Sequence, residues 1–420
     1  MQYKKFVDQL AGLIKPVGRF RRYSRSSVIS LPLIFLFACG GGTPYSGGMS
    51  TPDQTRPTTL SELAKLGEKI FDDRGLSASG AQACSTCHNP NNAHAQTNDL
   101  SVQLGGADLN QLGFRAVPTL RYQHSTPAPA IDANGHIIGG FNLDGRSASL
   151  AKQAQVPLLA MVEMANTSKT ELVSRVQKAV YSEEFKKVFG VTIFDHPDLA
   201  FDQVGIALQQ YQLEDSGFHS FDSKYDQYLK GKLTLTQTEM HGLILFNDAN
   251  KGNCATCHPS TLGADGSAPL FTTFGFASLG VPRNVAIPAN ADAAYFDLGV
   301  CGPNRIDLRL RLDLCGSFKI PTLRNVATRK VFFHNGRFKT LHDAVSFLVQ
   351  RDTQPEKWYP LDTNGIPLKF NDLPKNFHDY VEKKSVPFNR AVGAPPALSD
   401  SEISDILEFL TTLTDGIKGR

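Results

Sequence analysis

Two short stretches, "ACSTCHNP" (Ala83–Pro90) and "NCATCHPS" (Asn253–Ser260), each hold two cysteines three positions apart with a histidine directly after the second. Three chemistries use such a pair. A redox-active C-x-x-C stands after a strand in a βαβ unit, and no such pattern is visible. A structural zinc site needs four ligands, and the spacing between the two pairs is very wide. The trailing histidine points to the third: in C-x-x-C-H two thiols form thioethers to a porphyrin and the histidine binds its iron from the proximal side. Cys84, Cys87, Cys254 and Cys257 are therefore expected to carry two covalently attached haem c groups, with His88 and His258 as proximal ligands. Function then depends on the sixth iron positions. Two strong ligands make an electron carrier, whereas an open position admits peroxide or oxygen. Methionine is scarce, and none follows the second motif, so the simplest His/Met arrangement for the second haem lacks its ligand.

Each motif needs an element to hold it. "LSELAKLGEKIFDD" (Leu60–Asp73) precedes the first and "LTQTEMHGLILFND" (Leu235–Asp248) the second, both with apolar residues at helical spacing and both containing G-x-x-[IL]-F. A short polar loop with glycine follows each. The shared order of helix, loop and C-x-x-C-H is a weak internal repeat. "SLAKQAQVPLLAMVEM", "KTELVSRVQKAVYSEEFKKVF", "DLAFDQVGIALQQYQLED" and "TLHDAVSFLVQ" also read as helices, and "LSDSEISDILEFLTTLTD" begins with a capping box, Ser399 with Glu402. No sustained run of alternating strands appears. The expected fold is mainly α: two cytochrome c-like haem domains joined in one chain with long loops, spanning 60–232 and 233–420.

A long basic stretch, Lys4–Arg25, leads into the apolar run "VISLPLIFLFA", which is too short to cross a bilayer and suits a signal peptide. "LFAC" ends at Cys39, expected to be lipidated, so residues 1–39 read as a leader with a lipobox-like end and 40–59 as a flexible tether. The location expected is the periplasm, with the membrane reached only through the lipid anchor. Cys301 and Cys315 complete the seven cysteines, and in an exported chain they are most simply a disulfide. A net charge of +3 over 420 residues, with its basic excess at the front, gives no support to a nucleic-acid partner.

From Leu60 to Leu410 the sequence resembles the bacterial dihaem cytochrome c peroxidase family, including its MauG-like branch. Besides the two haem motifs, the likeness rests on "NLDGRSASLAKQAQVPLLAMVEM" and "FKIPTLRNVATRKVFFHNGRFKTLHDAV". The resemblance implies that Glu163 is the distal acid–base residue beside a peroxide-binding first haem, with Gln153 and Pro157 in the same pocket. Breaking an O–O bond heterolytically requires moving a proton between its oxygens, which a carboxylate can do. His334 matches a family histidine. Several positions depart from the pattern. Leu143 stands where the family has a tryptophan between the haems, and the only tryptophan is Trp358. Leu348 stands where the second haem's distal methionine or tyrosine is expected, leaving Tyr359 as a nearby candidate ligand. Ala116, Arg329 and Val331 occupy the calcium positions; Arg329 places a positive charge there, so calcium is doubtful. His94 is too near the proximal side of its own haem to swing across, so the first haem is expected to be open at rest.

These residues together imply an exported dihaem peroxidase. It would reduce hydrogen peroxide at the first haem with electrons relayed through the second from a small donor protein of the cytochrome c or cupredoxin type. Two alternatives are kept: a MauG-like oxidase acting on a side chain of a partner protein, and a non-catalytic dihaem electron-transfer cytochrome.

Overall fold

A computed structural model of the chain describes residues 59–416. Cys39, the leader and the tether as far as residue 58 lie outside them. Eight helices of eight residues or more are found among the described residues: α1 Glu62–Asp72, α2 Leu150–Leu159, α3 Lys169–Lys178, α4 Ser182–Phe189, α5 Pro197–Glu214, α6 Gln237–Asn247, α7 Leu341–Gln350 and α8 Asp400–Thr411. Strand structure among them amounts to three antiparallel pairs of two-residue strands, such as Phe276–Ala277 with Phe318–Lys319. The protein is mainly α.

Local chemistry accounts for the helix starts. The Ser61 hydroxyl accepts from the Ala64 N–H (3.1 Å) at the head of α1. Thr236 with Glu239 and Ser399 with Glu402 form capping boxes on α6 and α8. The expected continuous helix from Lys169 to Phe189 is instead two, α3 and α4. The break at Ala179–Tyr181 turns Tyr181 into the core, where its hydroxyl donates to Asp73 (2.7 Å). The helix expected to run on to Met164 ends at Leu159, so Glu163 sits on the turn beyond α2.

The glycine of each G-x-x-[IL]-F motif has a packing reason. α1 crosses α5 so closely that a Cβ on Gly67 would lie 2.0 Å from the Ala207 carbonyl oxygen. α6 crosses α8 in the same way, with Gly242 against the Asp405 carbonyl at 2.0 Å. Only hydrogen fits at either crossing. Around each crossing lies a core. Phe71, Leu158, Val204 and Leu208 belong to one, which Cys84 touches; Phe246, Phe347, Ile406 and Phe409 belong to the other, which Cys254 touches.

Buried ion pairs join the segments between these cores. Arg324 grips Asp226 with two hydrogen bonds of 2.8 and 2.9 Å, both side chains almost wholly buried. Arg121 pairs with Asp415 at 2.9 Å, and Tyr122 donates to the same carboxylate at 2.6 Å. A fork-like guanidinium suits such two-pronged contacts, and removing one partner of a buried pair strands the other charge. Cys301 and Cys315 are disulfide-bonded, with Cα atoms 5.0 Å apart, closing a loop whose Asn304, Asp313 and Leu314 border the cavity described next.

Candidate functional site

Each C-x-x-C-H folds as one tight turn. The His88 N–H donates to the Cys84 carbonyl (2.9 Å) and the His258 N–H to the Cys254 carbonyl (2.8 Å). This curls two sulfurs and an imidazole onto one side of the chain. All six side chains line one connected cavity of about 820 Å³, at the upper end of ordinary ligand pockets.

A second repeat supports the histidines, one that the sequence reading passed over. "VPTLRY" (Val117–Tyr122) and "IPTLRN" (Ile320–Asn325) fold alike. In each, threonine Oγ1 accepts from the arginine N–H at 3.1 Å and donates to a carbonyl upstream, that of Ala93 or of Leu270. The residue after each arginine, Tyr122 or Asn325, takes a left-handed φ of 63° or 61°. The proline carbonyls, Pro118 and Pro321, lie against the rings of His88 and His258. Nδ1 of each ring bonds to another carbonyl, that of His94 in the first half (3.2 Å) and of Phe271 in the second (2.7 Å). With Nδ1 so committed, Nε2 is the nitrogen left to bind a metal. Burial lowers both histidines to about 4, keeping them in the neutral form a metal ligand needs. The buried His94 ring stacks on Phe218 (3.9 Å between centroids) and stays on this proximal side.

The donor set fits haem. All four motif cysteines are free, and burial pushes the Cys84 and Cys254 thiols up to about 12. A redox dithiol needs a lowered thiol pKa, so that chemistry does not suit them. Among the described residues no three His, Cys, Asp or Glu side chains converge to hold a metal ion, which removes the zinc arrangement. What remains is a large cavity with two paired sulfurs beside one neutral imidazole, twice.

A third repeat frames the cavity: "FNLDGR" (Phe141–Arg146) and "FFHNGR" (Phe332–Arg337), each closed by a bridge, Phe141 to Ser147 and Phe332 to Phe338. Leu143 and His334 are equivalent in it. The His334 ring stacks on Phe318 at 3.7 Å, with Nε2 3.4 Å from Asp372. Arg115 covers Phe318 at 5.3 Å and pairs with Asp144 and Asp297, both at 2.7 Å. After each repeat comes a capped helix, Ser149 before α2 and Thr340 before α7.

Those helices differ at the cavity. α2 brings Gln153, Ala154 and Pro157, and the turn after it brings Glu163. α7 brings Leu341, Ala344, Val345 and Leu348. Glu163 lies close enough to Cys84 and Cys87 to push both thiols up, which assigns it to the first pocket. Its side chain is exposed by surface area, has protein packed around it and lines the cavity. Desolvation raises its carboxyl, and Arg146 only partly offsets this. Backbone contacts hold the turn: the Glu163 N–H donates to Ala160 (2.9 Å), and its carbonyl accepts from Gly106 (2.8 Å). Gly105 presses against it so closely that a Cβ would lie 2.2 Å from the Val162 carbonyl oxygen.

Tyr359, the candidate ligand, stands apart from the second pocket. It does not line the cavity; it is buried, its hydroxyl donates to the Gly280 carbonyl (2.5 Å), and its ring packs edge-on to Phe370 and Phe347. The tyrosine that borders the cavity from this half is Tyr380. Of the three calcium positions, Arg329 fills the space between the other two segments with its guanidinium, donating to the carbonyls of Val117 (3.1 Å) and Val331 (3.3 Å).

A mainly helical chain in which two cytochrome c-like halves each bring a C-x-x-C-H turn to one cavity fits a dihaem protein. The family profile for di-haem cytochrome c peroxidase (CCP_MauG) matches residues 61–234. The methylamine utilization protein MauG of Paracoccus denitrificans is 32% identical over 373 residues, covering 87% of this chain and 91% of that one. The cytochrome c551 peroxidase of Nitrosomonas europaea is 28% identical over 334 residues, covering 76% and 82%. Among solved structures, the diheme peroxidase BthA from Burkholderia thailandensis superposes with a TM-score of 0.77 at 35% identity, covering 85% and 87%. The chain belongs to the dihaem cytochrome c peroxidase family and is a haem-dependent oxidoreductase.

Proposed function

We propose that this protein reduces hydrogen peroxide at its first haem, with electrons passed through the second from a small redox protein of the cytochrome c or cupredoxin type. When bound, the first haem would supply a peroxide-binding iron and the second a one-electron relay. The side chains do the rest. Cys84 with Cys87, and Cys254 with Cys257, tether the haems as thioethers, while His88 and His258 present Nε2. The Glu163 carboxylate takes a proton from one peroxide oxygen and returns it to the other, which leaves as water. Gln153 orients peroxide from α2. Pro157 lacks an N–H, so the Gln153 carbonyl has no helical donor and stays open to the cavity. The apolar face of α7 keeps water and peroxide away from the second site.

The observation that carries this reading is that the first half brings a carboxylate, Glu163, to the cavity from the turn after α2, whereas α7 of the second half brings only apolar side chains. Steady-state peroxide consumption with a reduced small cytochrome tests it. Turnover with two haems per chain and a high-spin first haem in the resting electron paramagnetic resonance spectrum is expected. Two low-spin haems and no turnover would make the protein an electron carrier. The 32% identity to MauG favours a second reading, an oxidase that modifies a side chain of a partner protein; Leu143, in the position of the inter-haem tryptophan, counts against it. A peroxide-dependent mass change in a partner separates the two. Export to the periplasm, with Cys39 as lipid anchor, is part of the proposal and is supported by the Lys4–Arg25 stretch and the apolar run after it.

A further inference from the structure

Other buried and half-buried arginines among the described residues pair with carboxylates: Arg115 with Asp144 and Asp297, Arg121 with Asp415, Arg305 with Asp307, Arg324 with Asp226 and Arg351 with Asp352. Arg329 does not. Its Nε and Nη2 donate only to the carbonyls of Val331 and Val117, and burial alone depresses it, with no carboxylate to offset that. Nη1 makes no protein hydrogen bond among the described residues, and the side chain lines the cavity. Lys319 is a weaker companion, donating to the Gly140 carbonyl (2.9 Å) from the same cavity wall. Both are carried by the second half and both reach carbonyls of the first.

A largely desolvated guanidinium held by carbonyls alone is unfavourable unless an anion is nearby. The cavity's own residues do not supply one to Arg329. Haems do, because each carries two carboxylates, and two haems in one cavity bring four. Val117 directly precedes Pro118, whose carbonyl touches His88, so the charge stands beside the first haem's proximal support. Val331 leads into the His334 segment of the second half.

We propose that Arg329 is a fixed cation shared by the two haem pockets, taking a haem carboxylate on its open Nη1 edge and making a bound metal ion unnecessary there. The proposal rests on the haem-binding reading of the cavity, which a haem count of two per chain checks separately. A positive charge at this place favours the reduced haem, most strongly in low dielectric.

The test is a potentiometric titration of the haem-loaded protein, with and without EDTA or added calcium chloride. In the wild type neither addition should move either potential. Arg329→Gln should lower the first haem's potential by at least a tenfold change in its reduced-to-oxidised ratio, about 59 mV for one electron. Arg329→Lys should hold most of it, and Lys319→Met should move it less than Arg329→Gln. A chelator-sensitive wild type overturns the proposal, as does Arg329→Gln with two haems and unshifted potentials. Arg329→Lys shifting as far as Arg329→Gln overturns it too. If Arg329→Gln does not accumulate, the wild-type chelator titration and Arg329→Lys still decide.

Discussion

Around His88, helix α2 and its following turn bring Gln153, Pro157 and Glu163 to the cavity; around His258, α7 brings Ala344 and Leu348. The two halves are otherwise built alike. Each has a helix crossing at a glycine, a C-x-x-C-H turn, a P-T-L-R segment at the histidine and an F-x-x-[DN]-G-R bridge before the distal helix. The scaffolding is duplicated, and at the cavity the two halves differ in a few side chains on one helix and one turn. A carboxylate whose ionised form is penalised by burial is suited to receiving protons. The apolar side chains that α7 brings to the cavity can only exclude.

The sharpest way to break this comparison is to remove the acid. Glu163→Gln should lower peroxide turnover by roughly 10²–10⁴-fold with haem content unchanged, whereas Leu348→Ala should leave turnover near wild type. Equal losses in both would mean the halves share the chemistry. Next comes position without chemistry. Gly105→Ala drives a Cβ into the Val162 carbonyl, and a displacement of the Glu163 turn of about 1 Å should cost turnover on the order of 10²-fold. If steady-state rates in Gly105→Ala match wild type, the turn does not position Glu163 for catalysis.

A pH profile sharpens the same contrast. Burial raises the Glu163 carboxyl above its ordinary 4.5, so the carboxylate is lost while the pH is still above that value. Turnover should therefore fall on the acid side at a pH higher than an exposed glutamate would give, and Glu163→Gln should lack that limb. The scaffold itself predicts symmetry: Gly67→Ala and Gly242→Ala meet the same 2.0 Å obstruction and should each destabilise by about 1–3 kcal/mol or more, read as similar losses in thermal melting. The smallest effect belongs to Tyr359→Phe. Losing its bond to Gly280 should cost about 1 kcal/mol and leave the second haem's absorption spectrum unchanged. A changed spectrum would return Tyr359 to the second pocket.

Much of this was legible in residue order because it depends on short-range chemistry. Cys84, Cys87 and His88 sit within one turn, so their spacing alone says what they hold together. Ser399 and Glu402 announce a helix start for the same reason. The P-T-L-R repeat was also visible, in "VPTLRY" and "IPTLRN", but four residues without a partner in space carry no meaning until two proline carbonyls are found against two imidazoles. Tyr359 misled for the opposite reason. It is close in sequence to α7, yet its hydroxyl is spent on Gly280, which lies far away along the chain.

Residue order alone carries the two C-x-x-C-H turns, the helical class and the candidate acid at Glu163, since short motifs, caps and ordered segments are properties of neighbouring residues. Packing alone brings both motifs to one cavity, puts Glu163 in its lining and carries Arg329 from one half to the Val117 carbonyl of the other. Those facts depend on which long-range surfaces pack together. Desolvation and unpaired charge arise from everything that surrounds a group, and spacing along the chain does not encode those surroundings.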